Sequence, residues 1–440
     1  MTVTAGKGSC MERQIVFLMP GPIHLFWTSG VFYAWELGKR YQVVLLVNSS
    51  YEKNERFKKL TNSSFIEHIV YLSPRKFTMH YYYPKKFLVL LKKYSPKAIF
   101  LYDHVLPDCQ YLLHCCEEYA PNCLRFVFLA GRTEVSHSDD YKARHAFGID
   151  QIQKTWSFIV RWSWLARFVY FTRNKIKFWF VFTLMPLLFI RHRLKPAMNF
   201  YTGEYDLVVL EHLNQSRKYF WLAYLETEIK ILQDREVNAW FRIDHPMKQC
   251  WQEVFEFFFG KFNVKEQIIM LPTIGLESRL FTEGLCKKDV VSNISGKWCE
   301  AIDALRVQYP YYTYAMKLHP SAKGNALWES ILDEIGARFS DIDFLPTTEI
   351  AEWHIVQSKI IVSDVSTVLW WATLMGGKIV ISLDLFDYPA GDEMRLLDKV
   401  IYINSIDQFR KLSEITSSDY ESFLSPSPLL DFVEKTLNEC

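Results

Sequence analysis

Apolar residues in this chain gather into short runs separated by segments of helical period. Gln14–Met19, Tyr41–Val47, Ile66–Leu72, Ala98–Tyr102 and Leu124–Leu129 are rich in Val, Ile, Leu and Phe without polar alternation, which predicts strands buried on both faces. Between them, Gly30–Arg40, Tyr51–Leu60 and Lys86–Tyr94 predict helices with one apolar side. Alternating strand and helix predicts a parallel sheet covered on both faces, with ligand loops beyond the carboxyl ends of the strands. In this half those loops begin at Pro20, Asp103 and Ala130.

Further on, Asp206–Leu210 predicts a strand ending at Glu211-His212, and Ser216 to Phe262 predicts helical segments. A second alternating series follows. Its predicted strands are Gln267–Leu271, Tyr312–Leu318, Phe344 with Leu345, Lys359–Val362, Lys378–Ser382 and Lys399–Ile403, with helices including Gly296–Val307 and Leu327–Ile335. The expected architecture is α/β. Two Rossmann-like domains, residues 1–262 and 263–426, face a cleft, and a terminal helix lies in 427–440.

Between residues 151 and 203 the pattern breaks. No acidic residue occurs there, while cations and aromatic rings interleave: Arg161, Trp162, Trp164, Arg167, Lys175, Lys177, Trp179, Arg191, Arg193 and Lys195. The longest uncharged run, Phe178 to Ile190, is thirteen residues and contains a proline, short of the roughly twenty needed to cross a bilayer. A basic, aromatic, acid-free segment suits an interfacial helix, where each cation gains about 1 kcal/mol near an anionic leaflet. The bland alternatives are a helical pair packed under the domain with snorkelling cations, or an oligomer interface. Membrane contact is the expectation, because a soluble core helix has no reason to exclude every acid.

Charge and cysteine content narrow the class. A formal net charge of +2 makes no case for a dedicated nucleic-acid binder. Nine cysteines without a repeated spacing fit a reducing compartment, and residues 1–14 lack the apolar core of an export signal. The expected location is cytoplasmic, at the inner face of the cell membrane. Cys109, His114, Cys115, Cys116 and Cys123 match no standard pair of zinc knuckles, so no metal is expected there.

Candidate chemistry centres on Ile360 to Met375. A β-branched strand ends at Asp364-Val365-Ser366-Thr367, and an apolar helix then runs to Gly376-Gly377. The free N–H groups of such a helix start favour an anion, and two hydroxyls add donors; the same residues also serve as simple caps. Upstream, Lys317-Leu318-His319-Pro320 ends a predicted strand, and Glu349 and Glu352 lie in the turn after the next one. Asp341-Ile342-Asp343 has a metal-binding form, but it opens a strand at its amino end and reads as a solvated turn.

This order of motifs resembles the GT-B glycosyltransferases of bacterial surface polysaccharides: the CMP-sialic acid, polysialic acid and Kdo transferases and the CDP-glycerol phosphotransferases. The resemblance covers about the last 180 residues at motif level. It implies that His319, with Lys317 and Pro320 beside it, meets the donor phosphate or ribose. It further implies that Asp364, Ser366 and Thr367 form the phosphate site, that Glu349 or Glu352 binds the ribose hydroxyls, and that Thr273 lies in the cleft-facing turn Pro272-Thr273-Ile274-Gly275. The first half then supplies the acceptor site and the base. The acidic motif of the sialyltransferases is missing, which leaves Glu134, His24 and Asp103 as candidates, with Glu211 behind them. His24 resembles the Gly-His of UDP-sugar transferases, and Glu134 stands nearer the sialyltransferase acid.

The implied activity is metal-independent, inverting transfer from a nucleotide-sugar, preferably CMP-activated, to a lipid-linked or lipopolysaccharide-type glycan, with no cofactor. The competing expectations are a UDP-sugar transferase or UDP-sugar 2-epimerase of the same fold, and an inactive membrane-bound scaffold of polysaccharide assembly.

Overall fold

The computed structural model of the 440-residue chain describes residues 13–21, 23, 26–73, 79–102, 107–128, 219–223, 240–273, 287–319, 322, 324–364, 366–386, 399–409 and 428–439. In the first half the aliphatic runs form β1 (Ile15–Met19), β2 (Gln42–Asn48), β3 (His68–Leu72), β4 (Ala98–Leu101) and β5 (Leu124–Phe128). Helices between and after them include α1 (Val31–Gly38), α2 (Met79–Tyr94), α3 (Pro107–Tyr119) and α4 (Met247–Phe259). With β6 (Tyr219–Ala223) and β7 (Trp240–Arg242), the strands make a parallel sheet ordered β3-β2-β1-β4-β5-β6-β7.

Strands β6 and β7 correct the sequence expectation, which made Ser216 to Phe262 helical. Among the described residues of that stretch the helix is its last part, α4; it stops at Gly260, whose φ of +83° suits a residue without Cβ. The aromatic runs Tyr-Phe-Trp-Leu-Ala and Trp-Phe-Arg pair instead beside β5, Arg125 opposite Tyr219 and Trp221 opposite Trp240. Aromatic side chains fit a pleated surface, and a free sheet edge decides the conformation of so short a run. The predicted strand Asp206–Leu210 and the basic segment 151–203 lie outside the described residues.

The second sheet is built from β8 (Lys265–Leu271), β9 (Thr313–Lys317), β10 (Asp343–Leu345), β11 (Ser358–Asp364), β12 (Ile379–Leu383) and β13 (Val400–Ile403), in the order β10-β9-β8-β11-β12-β13 and parallel throughout. Around it lie α5 (Lys287–Gln308), α6 (Ala326–Arg338), α7 (Ala351–Gln357) and α8 (Thr367–Leu374). Helix α5 starts nine residues before the predicted Gly296. Burial of Val290, Val291 and Ile294 outweighs the weak helix propensity of the Ser-Asn-Ile-Ser-Gly stretch. Alternate faces of the second sheet feed two cores: Ile269, Ile361 and Val380 pack with α7 and α8, while Ile268, Val362 and Ile381 pack with α5 and α6.

The core on the α8 side is continuous with that of the first half. His245, just before α4, sits in this junction and is 1% exposed. Its Nδ1 accepts from the Met247 N–H at 3.1 Å, so the proton resides on Nε2, which donates to Ser29 Oγ at 3.0 Å. The rings of Phe32, Tyr33, Trp370 and Trp371 enclose it, and burial lowers its pKa to about 3. Phe259 of α4 stacks on Trp353 of α7 at 4.3 Å.

After the second sheet, α9 (Pro428–Glu439) returns to the first half. Phe432 meets Phe126 edge to face, and Arg40 pairs with Glu434 at 2.5 Å and Asp431 at 3.8 Å. All three charged side chains are exposed. Arg40→Ala is therefore expected to cost only about 0.5 kcal/mol in a urea melt, the apolar contact carrying the docking; a loss near 3 kcal/mol would reverse that ranking.

Candidate functional site

In an open parallel sheet, loops part and leave a crevice where the strand order reverses direction. The second sheet reverses between β8 and β11, and three of the predicted residues meet there. Asp364, the last residue of β11, is 1% exposed. Its Oδ1 accepts from the Thr273 N–H at 2.9 Å and the Thr273 hydroxyl at 2.6 Å, which ties the turn after β8 to the end of β11. Ser363 also donates to that oxygen at 3.2 Å. Burial lifts the Asp364 pKa to about 6 against the lowering effect of these bonds.

Ser366 is the N-cap of α8; its Oγ accepts from the Val368 N–H at 3.3 Å. The helix behind it carries Leu369, Trp370, Trp371 and Ala372 in the core, so its start is held rigidly. Thr367 is the first residue of that helix. A capped, fixed helix start at a switch point offers backbone N–H groups and a positive dipole end to an anion.

His319 follows β9 and is exposed at the same carboxyl edge, while Pro320 lies outside the described residues. Lys317, at the end of β9, is buried; its Nζ donates to the Leu318 carbonyl at 3.1 Å. Burial lowers its pKa, and Glu352 and Glu349 oppose that. Glu352 is buried as well, with its pKa raised by burial. The Glu349 carboxylate accepts from His354 Nε2 at 2.6 Å. Structure thus joins Thr273, Asp364 and Ser366 by direct contact or shared loop, and it sets Lys317 and His319 at the end of β9, Glu349 in the turn after β10 and Glu352 in the first turn of α7. The Asp341-x-Asp343 motif lies at the amino end of β10, where Asp341 is exposed and paired with Arg306. Among the described residues no group of His, Cys, Asp and Glu is arranged to hold a metal ion. The four described cysteines of the 109–123 cluster are buried free thiols.

The first sheet reverses between β1 and β4, and a cavity of about 210 Å³ opens at its carboxyl edge. Met19, Asn48, Leu72 and Tyr102 contribute from or just beyond β1, β2, β3 and β4, Tyr83 from α2 and Asp108 from α3. Gly21 is required there: its φ is +80°, and a Cβ would stand 2.4 Å from the Tyr102 ring. Among the described residues of this wall the acidic one is Asp108. Its Oδ1 accepts its neighbour Cys109's N–H at 3.0 Å, and burial raises its pKa above the ordinary carboxylate range.

The three predicted bases, His24, Asp103 and Glu134, lie outside the described residues, as do the membrane-binding candidates between 161 and 195. Sequence reasoning missed Asp108. Pro107 followed by Asp108 marks a helix start just after a strand, which is a signal for a side chain at the carboxyl edge.

Two parallel α/β sheets of this kind, each with its switch point at the carboxyl edge, constitute a GT-B fold. Solved structures agree. The UDP-GlcNAc 2-epimerase of Methanocaldococcus jannaschii superposes with a TM-score of 0.57 at 11% identity, covering 97% of this chain and 100% of that one. The UDP-GlcNAc 2-epimerase of Neisseria meningitidis bound to UDP-GlcNAc gives 0.52 at 12% identity, covering 97% and 100%. No protein-family model and no curated protein matches the chain.

Proposed function

We propose that the chain is a nucleotide-sugar glycosyltransferase that binds its donor at the switch point of the second sheet. The observation that carries this is the Thr273–Asp364 bond beside the Ser366-capped start of α8. There the donor phosphates meet helix N–H groups, with His319 on the neighbouring strand end. In the transfer, an acceptor oxygen bonds to the anomeric carbon as the bond from that carbon to the phosphate oxygen breaks. The leaving phosphate keeps the electron pair, and the acceptor's proton passes to a base. Asp108 in the cavity of the first half is the base we favour, because it is a carboxyl among the described residues of a cavity at a switch point, and burial raises its pKa, which makes it a stronger proton acceptor once ionised.

Uridine is the nucleotide we favour, in place of the cytidine that the motif resemblance implied, because the two similar structures are UDP-sugar enzymes. A lipid-linked or lipopolysaccharide-type acceptor remains part of the proposal, on the strength of the basic aromatic segment 151–203. The same likeness favours a second reading, UDP-sugar 2-epimerase. Incubation with UDP-GlcNAc separates the two, since an epimerase changes the sugar without releasing UDP.

UDP is expected to raise the melting temperature at concentrations where CMP does not, and Ser366→Ala is expected to reduce the rise. Stabilisation by CMP alone would restore the cytidine reading. No shift with either would remove the nucleotide site.

A further inference from the structure

Helix α2 is unlike an ordinary solvated helix. Lys85, Lys86, Val89, Lys92 and Lys93 are spaced i, i+1, i+4, i+7 and i+8, which places them on one side of a 3.6-residue period. The other side, Tyr83, Phe87, Leu90 and Leu91, is buried in the core of the first half. Lys85, Lys92 and Lys93 are exposed, Lys86 is half-buried, and Val89 at the centre is 55% exposed.

A helix face that serves only solubility gains from acids spaced three or four residues from its lysines. Helix α2 has no acid at all. The shortage extends well beyond it: the thirty-five residues between Glu67 and Asp103 contain seven lysines and arginines and no aspartate or glutamate. Four cations around an outward-facing valine match a surface that is anionic at its rim and apolar below. Long lysine stems can hold ammonium groups among headgroup phosphates while the valine reaches the acyl boundary.

We propose that this face of α2 docks on an anionic lipid bilayer. The docking stands independently of the transfer reaction. If that reaction is also right, the geometry has a use: α2 begins beside the cavity, where Tyr83 lines the wall with Asp108, so a membrane-bound acceptor is presented at the cavity mouth.

Flotation of the full chain with vesicles tests it. Vesicles containing 30 mol % phosphatidylglycerol in phosphatidylcholine, roughly the anionic share at which polybasic segments bind, are expected to retain the protein at low salt and release it as salt rises; phosphatidylcholine alone is expected not to. Combined Lys85→Glu, Lys86→Glu, Lys92→Glu and Lys93→Glu is expected to lower partitioning by about a hundredfold or more. Val89→Ser is expected to lower it severalfold with the salt dependence kept, and this single surface change keeps the measurement meaningful should the fourfold variant misfold. A separate variant, Arg191→Glu with Arg193→Glu and Lys195→Glu, tests the other basic segment. The proposal is overturned if the folded α2 variants bind as wild type, if neutral vesicles bind equally well, or if heparin retains the protein and vesicles do not.

Discussion

Replacing Asp108 by asparagine is expected to lower turnover by about 10²–10⁴-fold, the usual contribution of a positioned general base. UDP affinity should stay within about twofold, because the change removes a transition-state contact without touching the donor site. The amide has nearly the shape of the carboxylate, and its oxygen can still accept the Cys109 N–H, so the start of α3 survives. What is lost is the ability to take a proton. Burial raises the Asp108 pKa, and only the ionised form is a base; wild-type kcat/KM should therefore climb with pH through that raised value. The residual activity of the variant should lack this limb. Rates of UDP release from a UDP-sugar between pH 4 and 9 check both points. Full activity in the variant would return the role to His24, Asp103 or Glu134.

Asp364→Asn has an expected effect of similar size on stability, and in an unintuitive direction. The carboxyl's pKa rises from 3.8 to about 6 on folding. A raised value means that the stability is complete below 3.8 and is lost as pH rises through 6, amounting to about 3 kcal/mol at neutral pH. Asparagine keeps an oxygen for the Thr273 N–H and hydroxyl but never ionises. The variant should be more stable than wild type at pH 7.5 by roughly 1–3 kcal/mol.

His245 acts with the opposite sign. Its pKa falls from 6.5 to about 3, so its stability is present above 6.5 and is lost as the pH drops toward 3. Between about pH 4 and 6 the two slopes oppose each other in wild type. Asp364→Asn should expose the histidine slope, about 1.4 kcal/mol per pH unit. Urea melts from pH 4 to 8 measure it. A variant that is weaker at pH 7.5, with the wild-type profile unchanged, would mean that anchoring Thr273 requires the charge.

Much of the fold was legible because parallel strands buried on both faces are unmixed apolar runs. Such runs are marked by composition alone, as at Val43–Val47 within β2 and Ile360–Val362 within β11. Strands β6 and β7 were not legible, since aromatic runs of five and three residues carry no period, and only an available edge at β5 makes them strands. The Asp364–Ser366 element was visible as strand, cap and apolar helix. Thr273 was expected in the cleft-facing turn, but its bond to Asp364 was not legible: ninety-one residues separate the two, and no local pattern reports a contact that depends on β8 lying beside β11. Asp108 escaped for a related reason. An aspartate in the first turn of a helix is ordinary, and the cavity that distinguishes it is assembled from four strands and two helices.

The return of α9 to the first half has a consequence for synthesis. A ribosome adding about 5–20 residues per second completes β5 and then needs roughly 15–60 s more to reach α9. Throughout that interval the nascent first half lacks the helix that covers Phe126 and pairs with Arg40. Translation speed and chaperone occupancy, more than equilibrium stability, should therefore set the yield of folded chain, and slowing elongation should raise aggregation of the unfinished product.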